Sequence, residues 1–163
     1  MSVLERIRKW LTDEGIAFRE VQHEPTLTSE DSARARGEEL RNGGKALLMK
    51  VDADFALFVL PADRRVNSSA IRKALGIRKL RFASREELDE LTCDTRQPGL
   101  VPGSVPPFGQ PILPFPLYVD SAIEANERIA FNAGSLTDSI IMDVTAYLMI
   151  ARPQMAFEFS QFD

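Results

Sequence analysis

The sequence predicts a mixed α/β chain in which helical and extended segments alternate. Capped amphipathic stretches recur along it, and two apolar runs of strand length, Lys45 to Val51 and Phe55 to Leu60, stand close together. With 163 residues, 44% of them hydrophobic, the chain can fill a sizeable core as one domain spanning 1–163.

Ser2 and Glu5 have capping-box spacing, and Val3, Leu4, Ile7, Trp10 and Leu11 recur at helical intervals before Gly15, predicting a first amphipathic helix. Ile16 to Val21 is expected to be a short strand, and Thr28 opens a helical segment ending near Gly37. The apolar runs flank Asp52, Ala53 and Asp54, which suggests a hairpin of central strands with a three-residue turn, closed by Pro61. Asn67 or Ser68 caps a helix to Leu75 that stops at Gly76, and Leu80 to Ala83 is extended. Ser84 and Glu87 repeat the capping box and start a helix to about Leu91. Seven prolines between Gln97 and Pro116 exclude helix and central strand, leaving a long shaped loop inside the domain. Strands are expected at Leu117 to Asp120, Arg128 to Asn132 and Ser139 to Met142, with Asp143 capping a helix to Ile150.

One cysteine, Cys93, excludes an internal disulfide, and one cysteine with one histidine excludes a Cys/His zinc cage. No metal or cofactor is expected, although Asp52, Asp54 and Asp63 could hold an ion incidentally. The charged start, with Glu5, Arg6, Arg8 and Lys9, lacks the apolar stretch of a signal peptide or membrane span, so a cytoplasmic location is expected. The net charge of −4 hides an uneven distribution. Eight of the 20 basic residues, Arg64, Arg65, Arg72, Lys73, Arg78, Lys79, Arg81 and Arg85, form one segment without an acidic interruption. Such a segment can attract a phosphate backbone or be an ordinary solvated face.

Three motifs bear on function. Gly44-Lys45 opens the first strand of the hairpin; Gly99 to Gly109, containing Gly103-Ser104-Val105-Pro106-Pro107-Phe108-Gly109, lies in the proline-rich loop; Phe131-Asn132-Ala133-Gly134-Ser135 follows a late strand. In order and spacing they resemble the YbaK-type family of prolyl-tRNA editing domains over roughly residues 1–150. The resemblance implies an α+β architecture with a mixed, mostly antiparallel sheet and flanking helices. It also implies a cleft for the acceptor end of a mischarged tRNA and hydrolysis of a small amino acid from tRNA-Pro in trans. A prolyl-tRNA synthetase is the expected protein partner. The wording of the 103–109 loop looks closer to alanine-type members than to cysteine-type ones.

Ester hydrolysis needs preorganised donors for the charge that develops on the carbonyl oxygen, and a positioned water. Lys45 is the first candidate, its ammonium able to hold the ester carbonyl, the terminal ribose or a phosphate. Gly103, Ser104, Gly134 and Ser135 are candidates for backbone and hydroxyl donors. Val105, Pro106, Pro107, Phe108, Gly109 and Asn132 are expected to line the substrate pocket, with His23 lining it before Pro25. The basic residues Arg64, Arg65, Arg72, Lys73, Arg78 and Lys79 are the candidates for tRNA contact. Competing readings are a tRNA- or synthetase-binding module without activity, and a domain acting on a free amino-acid derivative.

Overall fold

The structure, a computed structural model, describes residues 1–95 and 97–163. Helix α1 spans Val3–Asp13, strand β1 Arg19–Gln22, and α2 Ser29–Arg36; a 3-10 turn at Leu40–Asn42 then leads into β2, Gly44–Val51. Next come β3 Asp54–Pro61, β4 Arg64–Val66, α3 Ser68–Leu75, β5 Leu80–Phe82 and α4 Arg85–Thr92. After the proline-rich stretch follow β6 Leu117–Asp120, α5 Ser121–Glu124, β7 Arg128–Asn132, β8 Asp138–Asp143, α6 Val144–Ala151, β9 Met155–Phe157 and β10 Ser160–Phe162.

Three sheets result: β5-β2-β3-β6-β9, β1-β8-β7 and the pair β10-β4. Only the β3-β6 and β6-β9 pairings are parallel, so the architecture is mixed and mostly antiparallel, as expected. Alternation along β3 puts Leu57 and Val59 on one face of the larger sheet and Phe58 and Leu60 on the other. The first face packs with Ile7 and Leu11 of α1, Ile129 and Phe131 of β7, Ile140 and Met142 of β8, and Tyr147 of α6. The second packs with Ile71 of α3 and Phe159. Both faces are covered, which is why these strands read as continuous apolar runs.

The caps behave as sequence chemistry dictates. Thr28, Asn67 and Ser84 each accept an N–H from the residue three positions on, and Gly37 and Gly76 end α2 and α3 in the left-handed region. Three expectations are corrected. Val51 pairs with Asp54, so the hairpin turn has two residues, Asp52 and Ala53. Asp52 tolerates a φ of 54° there because its carboxylate accepts the N–H groups of Arg78 and Lys79, at 3.1 and 2.8 Å. β1 begins at Arg19 rather than Ile16, since Ile16 and Phe18 pack against the core while the strand pairs with β8. Asp143 precedes α6 but its side chain makes no capping bond.

The tail contributes β9 and β10. A fully buried carboxylate, Asp120, directs this: it accepts the N–H groups of Phe159 and Ser160 at 2.8 and 3.1 Å, the Ser160 hydroxyl at 2.6 Å and the Ala122 N–H at 3.2 Å. Four donors offset the cost of removing the charge from water. The proline-rich stretch is built into the core as well. Phe108 meets the rings of Trp10, Phe131 and Tyr147, and the buried Tyr147 hydroxyl donates to Pro107 O at 2.7 Å. Among the described residues no helix is long and apolar enough to cross a membrane.

Candidate functional site

Lys45 stands at the start of β2, opposite Leu60 of β3. The glycines before it are there for space. A Cβ on Gly44 would lie 2.6 Å from the Ile129 side chain, and one on Gly43 would lie 2.8 Å from the Ala62 side chain and 3.2 Å from Leu40 O. The start of β2 is therefore pressed onto β7 and onto the β3-β4 turn, and a longer side chain at either position would push it away.

A cavity of about 450 Å³ opens at this point. Its walls come from the segment before α2 with α2 itself (Thr26, Ser32, Arg36), from β2 (Lys45, Ala46, Leu47) and from the loop (Gly103, Val105). Asn132 and Leu136 close it from the β7-β8 side, and Arg85 stands at its edge. Of the predicted residues, Lys45, Gly103, Val105 and Asn132 thus meet around one concavity.

Lys45 is half-buried, and desolvation by that burial lowers its pKa; Asp163, Asp63 and Glu30 act in the opposite direction by their charge. Among the described residues no hydrogen bond or ion pair holds the amine. The N–H groups of Gly103 and Val105 likewise have no acceptor among the described residues, although Val105 is buried. An N–H without a protein acceptor is free to donate to water or to a ligand atom.

Sequence reasoning missed Arg36. This buried arginine donates from Nε to Ser139 Oγ at 2.9 Å, from Nη2 to Asn132 Oδ1 at 3.0 Å, and from Nη1 to Ala130 O at 3.4 Å. Burial pushes its pKa down to about 10, opposed by the charge of Glu38. It therefore stays cationic at neutral pH. Asn132 passes the constraint on, donating from Nδ2 to Gly103 O at 2.7 Å. The only signal in the sequence was the helical spacing of Ser32 and Arg36 beside Ala33 in a segment rich in charge.

His23 belongs to the same network rather than to the cavity wall. Its Nδ1 lies 2.8 Å from Glu24 O and its Nε2 2.8 Å from Ser139 Oγ. The Glu24 carbonyl can only accept, so Nδ1 carries the proton, and Nε2 and Asn132 Oδ1, 3.2 Å from Ser139 Oγ, are the two acceptors open to the single Ser139 hydroxyl hydrogen.

The remaining candidates sit elsewhere. The Ser104 hydroxyl is spent within its own turn, donating to Val101 O at 2.8 Å and accepting from Val101 N–H at 3.1 Å. Gly134 donates its N–H to Ser104 O at 3.0 Å, and with φ at 90° it packs so closely on α1 that a Cβ would lie 2.9 Å from that of Val3. Ser135 donates to Asp138 Oδ2 at 2.7 Å and accepts the Asp138 N–H at 3.0 Å, which makes it the brace of the β7-β8 turn. Pro106, Pro107 and Phe108 are core residues because the loop supplies the ring packing described above. Gly109 borders a different concavity and presses against Phe115 O.

The basic segment splits into groups. Arg72, Arg78 and Lys79 line a third concavity with Lys50, Arg81 and Asp52. Lys73 is exposed on α3. Arg64 lies over the Phe162 ring at 4.2 Å, and Arg65 is 3.7 Å from Asp163. Arg81 is held by both oxygens of Glu87, at 2.7 and 2.9 Å, which raises its pKa and depresses that of Glu87 to about 2.

A partner-free amine and unpaired main-chain donors around one cavity are the kind of groups that can stabilise negative charge on a carbonyl oxygen. The comparisons make the class specific. Residues 23–149 match the model of the aminoacyl-tRNA editing domain. The chain belongs to that family, whose enzymes are aminoacyl-tRNA hydrolases. It is 36% identical over 157 residues to the multifunctional Ser/Thr-tRNA deacylase ProXp-y of Escherichia coli (strain K12), covering 93% of this chain and 89% of that protein. It is 34% identical over 106 residues to the proline–tRNA ligase of Shouchella clausii (strain KSM-K16), covering 65% of this chain and 17% of the ligase. The fold matches a solved candidate trans-editing enzyme for prolyl tRNA synthetase with a TM-score of 0.81 and 23% identity, over 99% of this chain and 98% of that one.

Proposed function

We propose that this chain works as a single cytoplasmic domain that hydrolyses, in trans, the ester joining a small misattached amino acid to the 3′ end of a tRNA. The observation that carries this reading is that Lys45, whose amine has no partner among the described residues, lines one small cavity with Gly103 and Val105, whose N–H groups have no acceptor there. Water adds to the ester carbonyl, the two N–H groups take up the charge on its oxygen, and the carbonyl–ribose bond breaks as the ribose oxygen gains a proton. Lys45 holds the acceptor end by its terminal phosphate or ribose. Arg36 and Asn132 act behind it by fixing the Gly103 carbonyl, and so the loop.

The tRNA for proline is supported by the names of two similar proteins, the ligase and the candidate trans-editing enzyme. For the amino acid, the name of the Escherichia coli relative favours serine and threonine over the alanine suggested by the loop wording. Arg85 at the cavity, the concavity of Arg72, Arg78 and Lys79, and Lys73, Arg64 and Arg65 are the proposed phosphate contacts; a prolyl-tRNA synthetase is the proposed protein partner. The test is amino-acid release from a panel of mischarged tRNAs, with Lys45→Ala as control. Release that depends on Lys45 supports the reading; salt-sensitive tRNA binding without release of any amino acid would establish the binding module instead.

A further inference from the structure

The cavity is graded from rim to floor. Leu27, 95% exposed, with Thr28, Arg85 and Pro102, forms the open side, whereas Ser32 and Arg36, each 8% exposed, lie with Gly43, Gly44, Ala46 and Val105 at the closed side. In an aminoacyl-tRNA the amino acid is the tip of the molecule. A tRNA end entering from the rim therefore brings the amino-acid side chain to the floor first.

Beside the Val105 N–H and the remaining Arg36 donors, the cavity carries one pair of hydroxyls that can both donate and accept. Arg36 is engaged by Ser139, Asn132 and Ala130, and both ends of the Asn132 amide are used. Thr26 Oγ1 and Ser32 Oγ lie 2.6 Å apart and, among the described residues, have no other partner. Each hydroxyl has one hydrogen and two lone pairs. One hydrogen is consumed between them, so the second, with free lone pairs, is left to the cavity.

We infer that the Thr26–Ser32 hydroxyl pair reads the side-chain hydroxyl of the attached amino acid and so favours serine and threonine over alanine. This rests on the deacylase reading above. A hydroxyl at the tip completes the pair's bonding, whereas a methyl group leaves it unpaired in a partly dry site. Ala46 and Val105 on the floor bound the size, and glycine at 43 and 44 leaves no side chain there to be displaced.

The experiment is single-turnover release of serine, threonine and alanine from one and the same tRNA by the wild-type chain, Ser32→Ala and Thr26→Val, each checked for cooperative unfolding. Wild type is expected to release serine faster than alanine. That ratio should fall by about tenfold in either variant, the effect of one lost hydrogen bond. Ser32→Ala favours helix within α2 and Thr26→Val preserves shape, so at least one folded variant is available. Wild-type release with the ratio unchanged in the folded variants, or with alanine preferred, overturns the selector and leaves the deacylase reading standing. Failure of wild type to release any of the three overturns both.

Discussion

Arg36 donates to Asn132 Oδ1 at 3.0 Å, and the other end of that amide donates to Gly103 O at 2.7 Å. A helix, a strand and the proline-rich loop are thereby tied at one corner of the cavity. The two bonds act in series. Arg36→Met and Asn132→Ala should therefore each lower the deacylation rate about tenfold, and the double variant should be little worse than either alone. Arg36→Met should also cost about 1–3 kcal/mol, since Ser139 Oγ, Asn132 Oδ1 and Ala130 O each lose a donor. Rates and urea midpoints of the four proteins in the cycle check this; additive rate losses would show that the residues act separately.

Lys45 is held in a place that favours function over stability. Its folded-state pKa lies below the unfolded value of 10.5, so the folded chain binds fewer protons in that window. The cost of burying the charged form is thus fully present at neutral pH and fades as pH rises through the lowered value towards 10.5. Lys45→Met should unfold at higher urea than wild type at pH 7, with the difference closing in alkali, while deacylation falls at least ~100-fold. Denaturation at several pH values and a single-turnover assay test both halves.

At Gly134 the prediction is steric. Gly134→Ala must adopt a φ of 90° and place a Cβ 2.9 Å from that of Val3, so it should cost about 1–3 kcal/mol and loosen α1. Calorimetry gives the loss, and hydrogen exchange in residues 3–13 shows where it falls. Deacylation should drop only as far as the loop moves, because the Gly134 N–H is already bonded to Ser104 O.

Asp120 anchors the tail. Asp120→Ala removes the acceptor for the buried N–H groups of Phe159 and Ser160 and should cost about 2–5 kcal/mol. Limited proteolysis should then cut first after Gln154, ahead of β9 and β10.

Glu87 supplies a titration. Its pKa of about 2, set by the two bonds from Arg81 and by the Ser84 N–H, means that its small contribution is complete above pH 4.5 and lost as pH falls towards 2. Its carboxyl carbon followed by NMR should stay ionised at pH 3, and Arg81→Ala should bring the midpoint back up.

The sequence by itself determined most of the elements, though not β4, α5, β9 or β10, and pointed to several residues that share one cavity. Caps at Thr28, Asn67 and Ser84, stops at Gly37 and Gly76, and the apolar runs of β2 and β3 are local chemistry, readable because a side chain and its partner lie within a few residues. Lys45 and Gly103 were legible through their motifs, and Asn132 through its turn. Only the tertiary structure decided that Gly134 and Ser135 brace a turn, that Pro106 to Phe108 fill the core, that Asp120 recruits a tail 39 and 40 residues away, and that Arg36 stands behind the loop, 94 to 103 residues from the atoms it holds. Periodicity along a chain reports which face of an element is apolar. It carries no record of which distant carbonyl or amide will satisfy a buried charge, and that pairing is what shapes the cavity.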